Sequence, residues 1–322
     1  MNSFAKHTGD TSGMLPRWKG QKGRLEVWYA TVSDPDNQIG FWIHHEMVAP
    51  LESRAYVHGW IGVFYHDSPP EVERFGRSYP DYFPAEVQDP KAALFSCKEV
   101  EFGQGWMRGN TQNITWDLEF QDATNPLFTF PRIAWERELL PAAQIVPAPA
   151  GLFTGEVNTA AKRFLFEKAL GGVAHIYGHG NALRWVWLHA NLNSTDVLEI
   201  VSAKSNSFSS LPLMGFVKLR IGNLEWPENT LLSALKFHTK LKFPDFELTG
   251  TVGRRRIRVQ VHIPLQNAVA LSYTDPDGET ATCTNSEIAD AVIVLEKKYR
   301  SWETEANWCL KGTAHAEIGT RP

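Results

Sequence analysis

The stretch Gly171-Gly-Val-Ala-His-Ile-Tyr-Gly-His-Gly-Asn-Ala-Leu-Arg-Trp-Val-Trp-Leu-His-Ala-Asn191 decides the fold class. It reads as two β-strands around a glycine-rich turn, a hairpin in the simplest reading. Side chains alternate along a strand. His175 and Tyr177 therefore share one face of the first strand, and Trp185, Trp187 and His189 share one face of the second. Such side chains either fill a core or wall a pocket for a flat apolar molecule. The pocket reading makes His175, Tyr177 and His189 the polar, catalytic groups. In that reading Trp185 and Trp187 are stacking surfaces, and His179 and Asn191 are flanking ligand contacts.

The same alternation runs through the rest of the chain. Arg24–Thr31 sets Leu25, Val27 and Tyr29 against Glu26, Trp28 and Ala30. Phe41–Val48 sets His45 and Met47 against His44 and Glu46. Tyr56–Tyr65 puts His58 and Trp60 on one face, and Asn113–Gln121 alternates Ile114, Trp116, Leu118 and Phe120 with polar residues. Further strands are expected at 198–202, 216–221, 246–250, 255–263, 268–273, 289–300 and 312–318. Ser33–Gln38 and Asp275-Pro-Asp-Gly278 carry turn chemistry, with Asp and Asn capping their own backbone and Pro presetting φ. Helix signals are few. Thr159–Leu170 is an ambiguous amphipathic candidate, and 230–237 fits either a short helix or a strand. Many short strands and no regular helix alternation predict an all-β chain of sandwiches or barrels, not a parallel α/β sheet.

The 322 residues suit two domains. The proline-rich Pro141–Gly151 reads as their connection, giving a disordered tail over 1–14 and β domains over 15–145 and 146–322. Asp67–Pro90, with five prolines and Tyr79, Tyr82 and Phe83, reads as a long loop of the kind that serves as a lid. Apolar content of 43% and charged content of 21% describe a globular chain. A net charge of −4 gives no electrostatic case for nucleic acid. No stretch approaches the roughly 20 apolar residues of a membrane helix. Cys97, Cys283 and Cys309 are far apart and read as reduced thiols, and no signal core is evident, so a cytoplasmic setting is expected.

Twelve tryptophans are the unusual feature of the composition. His44-His45-Glu46 with His58 could bring three imidazoles and a carboxylate together. The spacing fits no local metal motif, so either one pocket-lining and one outward-facing His, or hydrogen bonds that stitch strand to strand, is preferred and no metal is expected. Arg256, Arg258, Gln260 and His262 share a face that reads as solvated barrel exterior. His315 and Glu317 share a face of the last strand. No phosphate loop, dinucleotide fingerprint or GxSxG elbow is present, so hydride, phosphoryl and elbow-type acyl chemistry have no motif support.

Trp185-x-Trp187-x-x-x-Asn191 after a Gly-Gly entry resembles the lipocalin-like superfamily of tocopherol cyclase, hydroxyneurosporene synthase and the lipocalin-like Diels–Alderases. The Leu25–Tyr29 strand, Gly151-Leu-Phe-Thr-Gly-Glu156 and Ala314-His-Ala-Glu-Ile-Gly319 extend the likeness over most of the chain. The resemblance implies two tandem lipocalin-like antiparallel β-barrels or half-barrels with few short helices. It also implies a deep apolar pocket and cofactor-free chemistry. Where tocopherol cyclases carry a Glu-Lys-Asn-Trp-Gly run, this chain has Tyr177-Gly-His-Gly-Asn181, so chromanol cyclisation is not implied. The expected activity is cyclisation, isomerisation or hydration of a hydrophobic terpenoid or polyketide polyene. His or Tyr would supply acid–base polarisation, with His58 and Trp60 among the pocket walls. The alternative is a non-catalytic carrier of a hydrophobic small molecule.

Overall fold

The structure is a computed structural model that describes residues 11–78, 92–205 and 212–322. Two large antiparallel sheets account for almost all of it. The first contains β1 (Arg24–Asp34), β2 (Ile39–Ala49), β3 (Tyr56–Tyr65), β4 (Glu71–Ser78), β5 (Ala93–Cys97), β6 (Val100–Gly103), β7 (Trp106–Asn110), β8 (Thr115–Gln121), β9 (Ala142–Asn158) and β10 (Arg163–Gly178). Its order is β4-β3-β2-β1-β10-β9-β8-β7-β6-β5. The second contains β11 (Arg184–Asn191), β12 (Val197–Lys204), β13 (Met214–Ile221), β14 (Leu224–Trp226), β15 (Phe237–Lys242), β16 (Asp245–Val252), β17 (Arg255–His262), β18 (Val269–Thr274), β19 (Thr280–Lys298) and β20 (Trp302–Thr320). Its order is β14-β13-β12-β11-β20-β19-β17-β16-β15, with β18 paired to β19. It curls until β13 and β15 lie against each other.

Each sheet wraps an apolar core of its own, and the two sheets also pack face to face. Along β1, Trp28, Ala30 and Val32 enter the first core, while Leu25, Val27 and Tyr29 face the second sheet. Along β11, Val186, Leu188 and Ala190 enter the second core, while Trp187 faces the first sheet. The central strands are thus buried on both faces, which explains the near absence of exposed positions along β1, β2, β3 and β11.

Several expectations need correction. The opening stretch is not a hairpin. β10 pairs with β1 and β9, and β11 pairs with β12 and β20, so residues 179–183 carry the chain from one sheet to the other. Pro141–Gly151 is not a connection but the start of β9, so a boundary at 145/146 falls inside a strand. Its prolines are tolerated because β8 pairs with β9 only from Leu152 onward. Upstream of that point, one side of β9 lacks continuous pairing, and the β10 ladder shifts register beside Pro147 and Pro149. Thr159–Leu170 is not a helix. Residues 163–167 alternate exposed and buried, with Phe164 and Phe166 inward, which is a strand period.

Residues 230–237 form a short helix, α2 (Thr230–Ser233), continued by one 3₁₀ turn (Ala234–Lys236). A helix that was not anticipated, α1 (Arg132–Arg137), lies before β9. Part of Asp67–Pro90 is β4, with Phe75 buried, and residues 79–90 lie outside the described set. Of the expected N-terminal tail, Thr11–Met14 form a 3₁₀ turn, and residues 1–10 lie outside the described residues. Both predicted turns, Ser33–Gln38 and Asp275–Gly278, join consecutive strands. Arg256, Arg258 and His262 are exterior, pairing with Glu296 and Asp245 over buried Ile257, Val259 and Val261. Among the described residues, no helix is long and apolar enough to cross a membrane.

Candidate active site

Where the two sheets face each other they enclose a cavity of about 190 Å³. β1 contributes Leu25, Val27 and Tyr29, β2 contributes Trp42, His44 and Glu46, and β11 contributes Trp185 and Trp187. Phe130, Phe216 and Tyr273 add further aromatic wall, and Glu317 comes from β20. The partly exposed Gly180–Ala182 and Met214 edge it. The wall is mostly carbon, so an ionisable group on it is costly unless paired.

Strand alternation places His44 and Glu46 on this wall, and cross-strand pairing sets His58 opposite Glu46. His44 Nε2 lies 3.2 Å from Glu46 Oε2. A carboxylate only accepts, so His44 Nε2 carries the hydrogen and Nδ1 is the ring's acceptor. Arg74 Nη2 donates to His58 Nδ1 at 3.1 Å, which leaves His58 Nε2–H directed at Glu46, 3.7 Å away. Burial alone would raise the Glu46 carboxyl. The His44 bond, with the His58 ring and the Arg74 guanidinium close by, overcomes it and holds Glu46 below its ordinary range. Burial lowers His58 to about 4, so it is neutral at pH 7. The His44 ring sits in an aromatic box, with centroids 5.3 Å from Trp42, 5.4 Å from Trp60 and 5.3 Å from Tyr273.

Glu317 has the opposite electrostatics. Burial raises its carboxyl above the ordinary value, only partly offset by donors from Trp185 and Cys283. Trp185 Nε1 donates to Oε1 at 2.9 Å, and Cys283 Sγ lies 3.3 Å from Oε2. No Lys or Arg side chain among the described residues pairs with it, so burial favours the neutral acid over the carboxylate, the form that could donate a proton into the cavity. The cavity thus brings together, from its two facing sheets, a carboxyl whose charge burial disfavours and an imidazole acceptor oriented by an ionised carboxylate.

The residues singled out from sequence are dispersed. Trp185 and Trp187 line the cavity. His58 and Trp60 stand behind His44, in contact with it or with Glu46 rather than with the cavity. His175 and Tyr177 do share a face, but it is the face turned away from the cavity, where Ile176 points instead. His175 is stacked 4.6 Å from Trp28 and held between Glu26 Oε1 and the Gly13 carbonyl, a clamp for the N-terminal segment. Tyr177 packs beside Trp135 and Phe130. His179 is exposed, 2.9 Å from Arg24 Nη1. His189 Nδ1 donates to Glu199 Oε2 at 2.7 Å across the β11–β12 ladder, and Asn191 Nδ2 donates to the Pro149 carbonyl of the first sheet at 2.9 Å.

Glu199 gathers Trp187 Nε1 and Gln144 Nε2 as well, fastening β12 to β9. His45 is neither outward-facing nor at the cavity: it is buried against Phe75, Phe95 and Phe102 in the first core. With His45 turned away, only His44, Glu46 and His58 of that grouping come together. Among the described residues, no cluster of three His, Cys, Asp or Glu is arranged to hold a metal ion. The residues that sequence reasoning passed over are Tyr29, Gln144, Tyr273 and, above all, Glu317. Its same-face relation to His315 was the available signal.

The sequence profile of the tocopherol cyclase-like family matches residues 22–320. Over 313 residues the chain is 44% identical to the uncharacterized protein Rv0493c of Mycobacterium tuberculosis strain H37Rv, covering 96% of this chain and 90% of that one. The same figures hold for the uncharacterized protein MT0513 of strain CDC 1551. Among solved structures, CghA aligns with a TM-score of 0.60 at 10% identity, covering 92% of this chain and 88% of CghA. Kievitone hydratase from Nectria haematococca aligns with a TM-score of 0.53 at 11% identity, covering 97% and 94%. At such identities the likeness is one of fold.

Proposed function

The chain belongs to the tocopherol cyclase-like family, and on that premise we propose that it is a cofactor-independent enzyme adding an O–H group across a carbon–carbon double bond. The O–H is the substrate's own in a cyclisation, or water's in a hydration. The observation that carries this reading is the buried Glu317 carboxyl, raised above its ordinary range, set in the same aromatic cavity as the Glu46-oriented His44. Glu317 transfers its proton to one alkene carbon, and positive charge develops on the other. The faces of Trp42, Trp185, Trp187 and Tyr273 attract that charge, by about 2 kcal/mol for a desolvated cation–π contact. As the oxygen bonds to the cationic carbon, its proton passes to His44 Nδ1. Proton transfer from His44 back to Glu317 restores the site, so the net change is one O–H added.

An apolar cavity of about 150 Å³ holds a benzene. This one suits the reacting, ring-sized portion of a hydrophobic terpenoid or polyketide, with the remainder leaving past Gly180–Ala182. A carrier would need the apolar wall but neither the raised carboxyl nor the oriented imidazole. The test is incubation with a lipid extract of the source organism in D₂O. Conversion of one component should place one carbon-bound deuterium in the product. Glu317→Gln should slow it by about 10² to 10⁴-fold, the usual worth of a general acid. No conversion, a product free of solvent deuterium, or undiminished turnover in Glu317→Gln would each overturn the reading.

A further inference from the structure

Two residues further along the same strand faces, away from the cavity, lies a second constellation that the proposed reaction does not use. Ser33 Oγ is 3.2 Å from His315 Nε2, and His315 Nδ1 is 2.6 Å from Glu287 Oε2. Glu287 also accepts from Asn285 Nδ2 at 2.9 Å and from Thr31 Oγ1. A carboxylate with three donors is an acceptor only, so His315 carries its hydrogen on Nδ1 and presents the Nε2 lone pair to Ser33. Burial lowers the His315 pKa, with Glu287 working against it, so the ring is neutral and able to take a proton at pH 7.

His315 and Glu287 are fully buried, whereas Ser33 keeps 8% of its surface. Ser33 opens on a polar groove of about 560 Å³, together with Asp34, Asn37, Lys168, Asn191 and Thr313. The Ser33 hydroxyl has a second acceptor, the Thr313 carbonyl at 3.2 Å, so it is held at the groove floor in either orientation.

We propose that Ser33, His315 and Glu287 form a nucleophile–base–carboxylate triad that takes an acyl group from a small polar ester bound in this groove. Nucleophile, base and orienter sit in the order and within the reach that such chemistry requires. Ser33 Oγ bonds to the ester carbonyl carbon, its proton passes to His315 Nε2, and the alkoxide leaves carrying that proton. Water then repeats the sequence and releases the acid. The three residues come from β1, β19 and β20, so no local sequence motif announces them.

The test uses the intact protein and a fluorophosphonate probe. Ser33 Oγ bonds to phosphorus, fluoride leaves, and His315 receives the proton. Peptide mapping should place the label on Ser33, and Ser33→Ala should abolish it. His315→Gln should slow labelling by about 10³-fold or more, because members of such a unit fail together. Since His315 is buried, the wild-type rate against pH gives a second reading that needs no variant. The groups facing its ring are Glu287, Ser33, Thr31 and the His189 ring at 6.0 Å, itself bonded to Glu199. With a neutral base the rate is flat between about pH 7 and 8 and falls only on acidification below the ordinary imidazole range. No label on Ser33, or a rate that climbs tenfold per unit through the alkaline range as for an unassisted serine, would overturn the proposal.

Discussion

At neutral pH the Glu317 carboxyl occupies a medium that disfavours its charge. Its folded pKa lies above the unfolded value. As pH rises past the unfolded pKa of about 4.3, the unfolded chain gives up a proton that the folded chain keeps, so stability falls with rising pH across that window. Glu317→Gln removes this dependence. The variant should match or exceed the wild type in melting temperature at about pH 8, with the advantage shrinking toward about pH 4, while losing turnover. Thermal melts at several pH values check it, and a variant less stable at every pH would contradict the burial argument.

His45 has the reverse sign. Burial lowers it to about 3, while the unfolded value is about 6.5. Below the unfolded value the unfolded chain takes up a proton that the folded chain refuses, so stability drops as pH falls from about 6.5 toward 3, by up to about 1.4 kcal/mol per pH unit. His58, lowered to about 4, adds to the same slope. His45→Met, similar in bulk and without a titrating group, should flatten the slope by about one proton in urea unfolding between about pH 7 and 5. An unchanged slope would place the acid sensitivity elsewhere. Alternation alone already put His44 with Glu46 and His315 with Glu317. It could not say which face meets the cavity, because the residues beside them on both faces are apolar. For that reason the pocket reading of His175 uses a face that the structure turns away from the cavity, toward which Ile176 points.

At the level of elements, the tryptophans and glycines form one pattern. Trp185 lies directly across from Gly319, Trp106 from Gly103 and Trp116 from Gly109. In each pair the ring covers the bare glycine, and a Cβ built on Gly319 would lie 1.9 Å from the Trp185 ring. This is why Trp185 lies flat enough for its Nε1 to meet Glu317 on the same strand as Gly319. Gly319→Val should displace that ring and remove the donor from Glu317. The cost in stability should be about 1–3 kcal/mol, as for overpacking a filled site, with a larger loss of activity than of fold. Tryptophan fluorescence, urea midpoint and the deuterium assay together separate these effects. Full activity with Val at this position would mean that Trp185 does not position the acid.

Strand identity was legible at this scale because periods of two are local. Strand partners were not. Gly171–Asn191 has every local mark of a hairpin, yet its halves pair with β1 and β20, some 150 and 130 residues away in sequence, a choice set by long-range burial.

For the whole molecule the decisive feature is that the two sheets share a buried layer. Leu25, Val27, Tyr29 and Ala174 of the first sheet pack with Trp187 and Val197 of the second, and Trp42, Trp60 and Phe64 pack with Trp185, Tyr273 and Ile288. Polar bonds cross the same layer: Gln144 to Glu199, Thr31 to Glu287, and Asn267 Nδ2 to the Tyr65 carbonyl at 2.8 Å. The cavity and the proposed triad both lie in this layer and draw residues from both sheets. A reading of two tandem units joined by a proline-rich connection predicts two separable melts. The shared layer predicts the opposite, since unfolding either sheet strips the apolar cover from the other and leaves buried partners such as Glu199 and Glu287 unpaired. Scanning calorimetry should therefore show one transition whose calorimetric and van't Hoff enthalpies agree. Trp185→Phe, which alters a residue in the layer, should shift that single transition rather than split it. Two resolved transitions, with only one of them moved by Trp185→Phe, would mean that each sheet stands on its own core and that the layer between them contributes little.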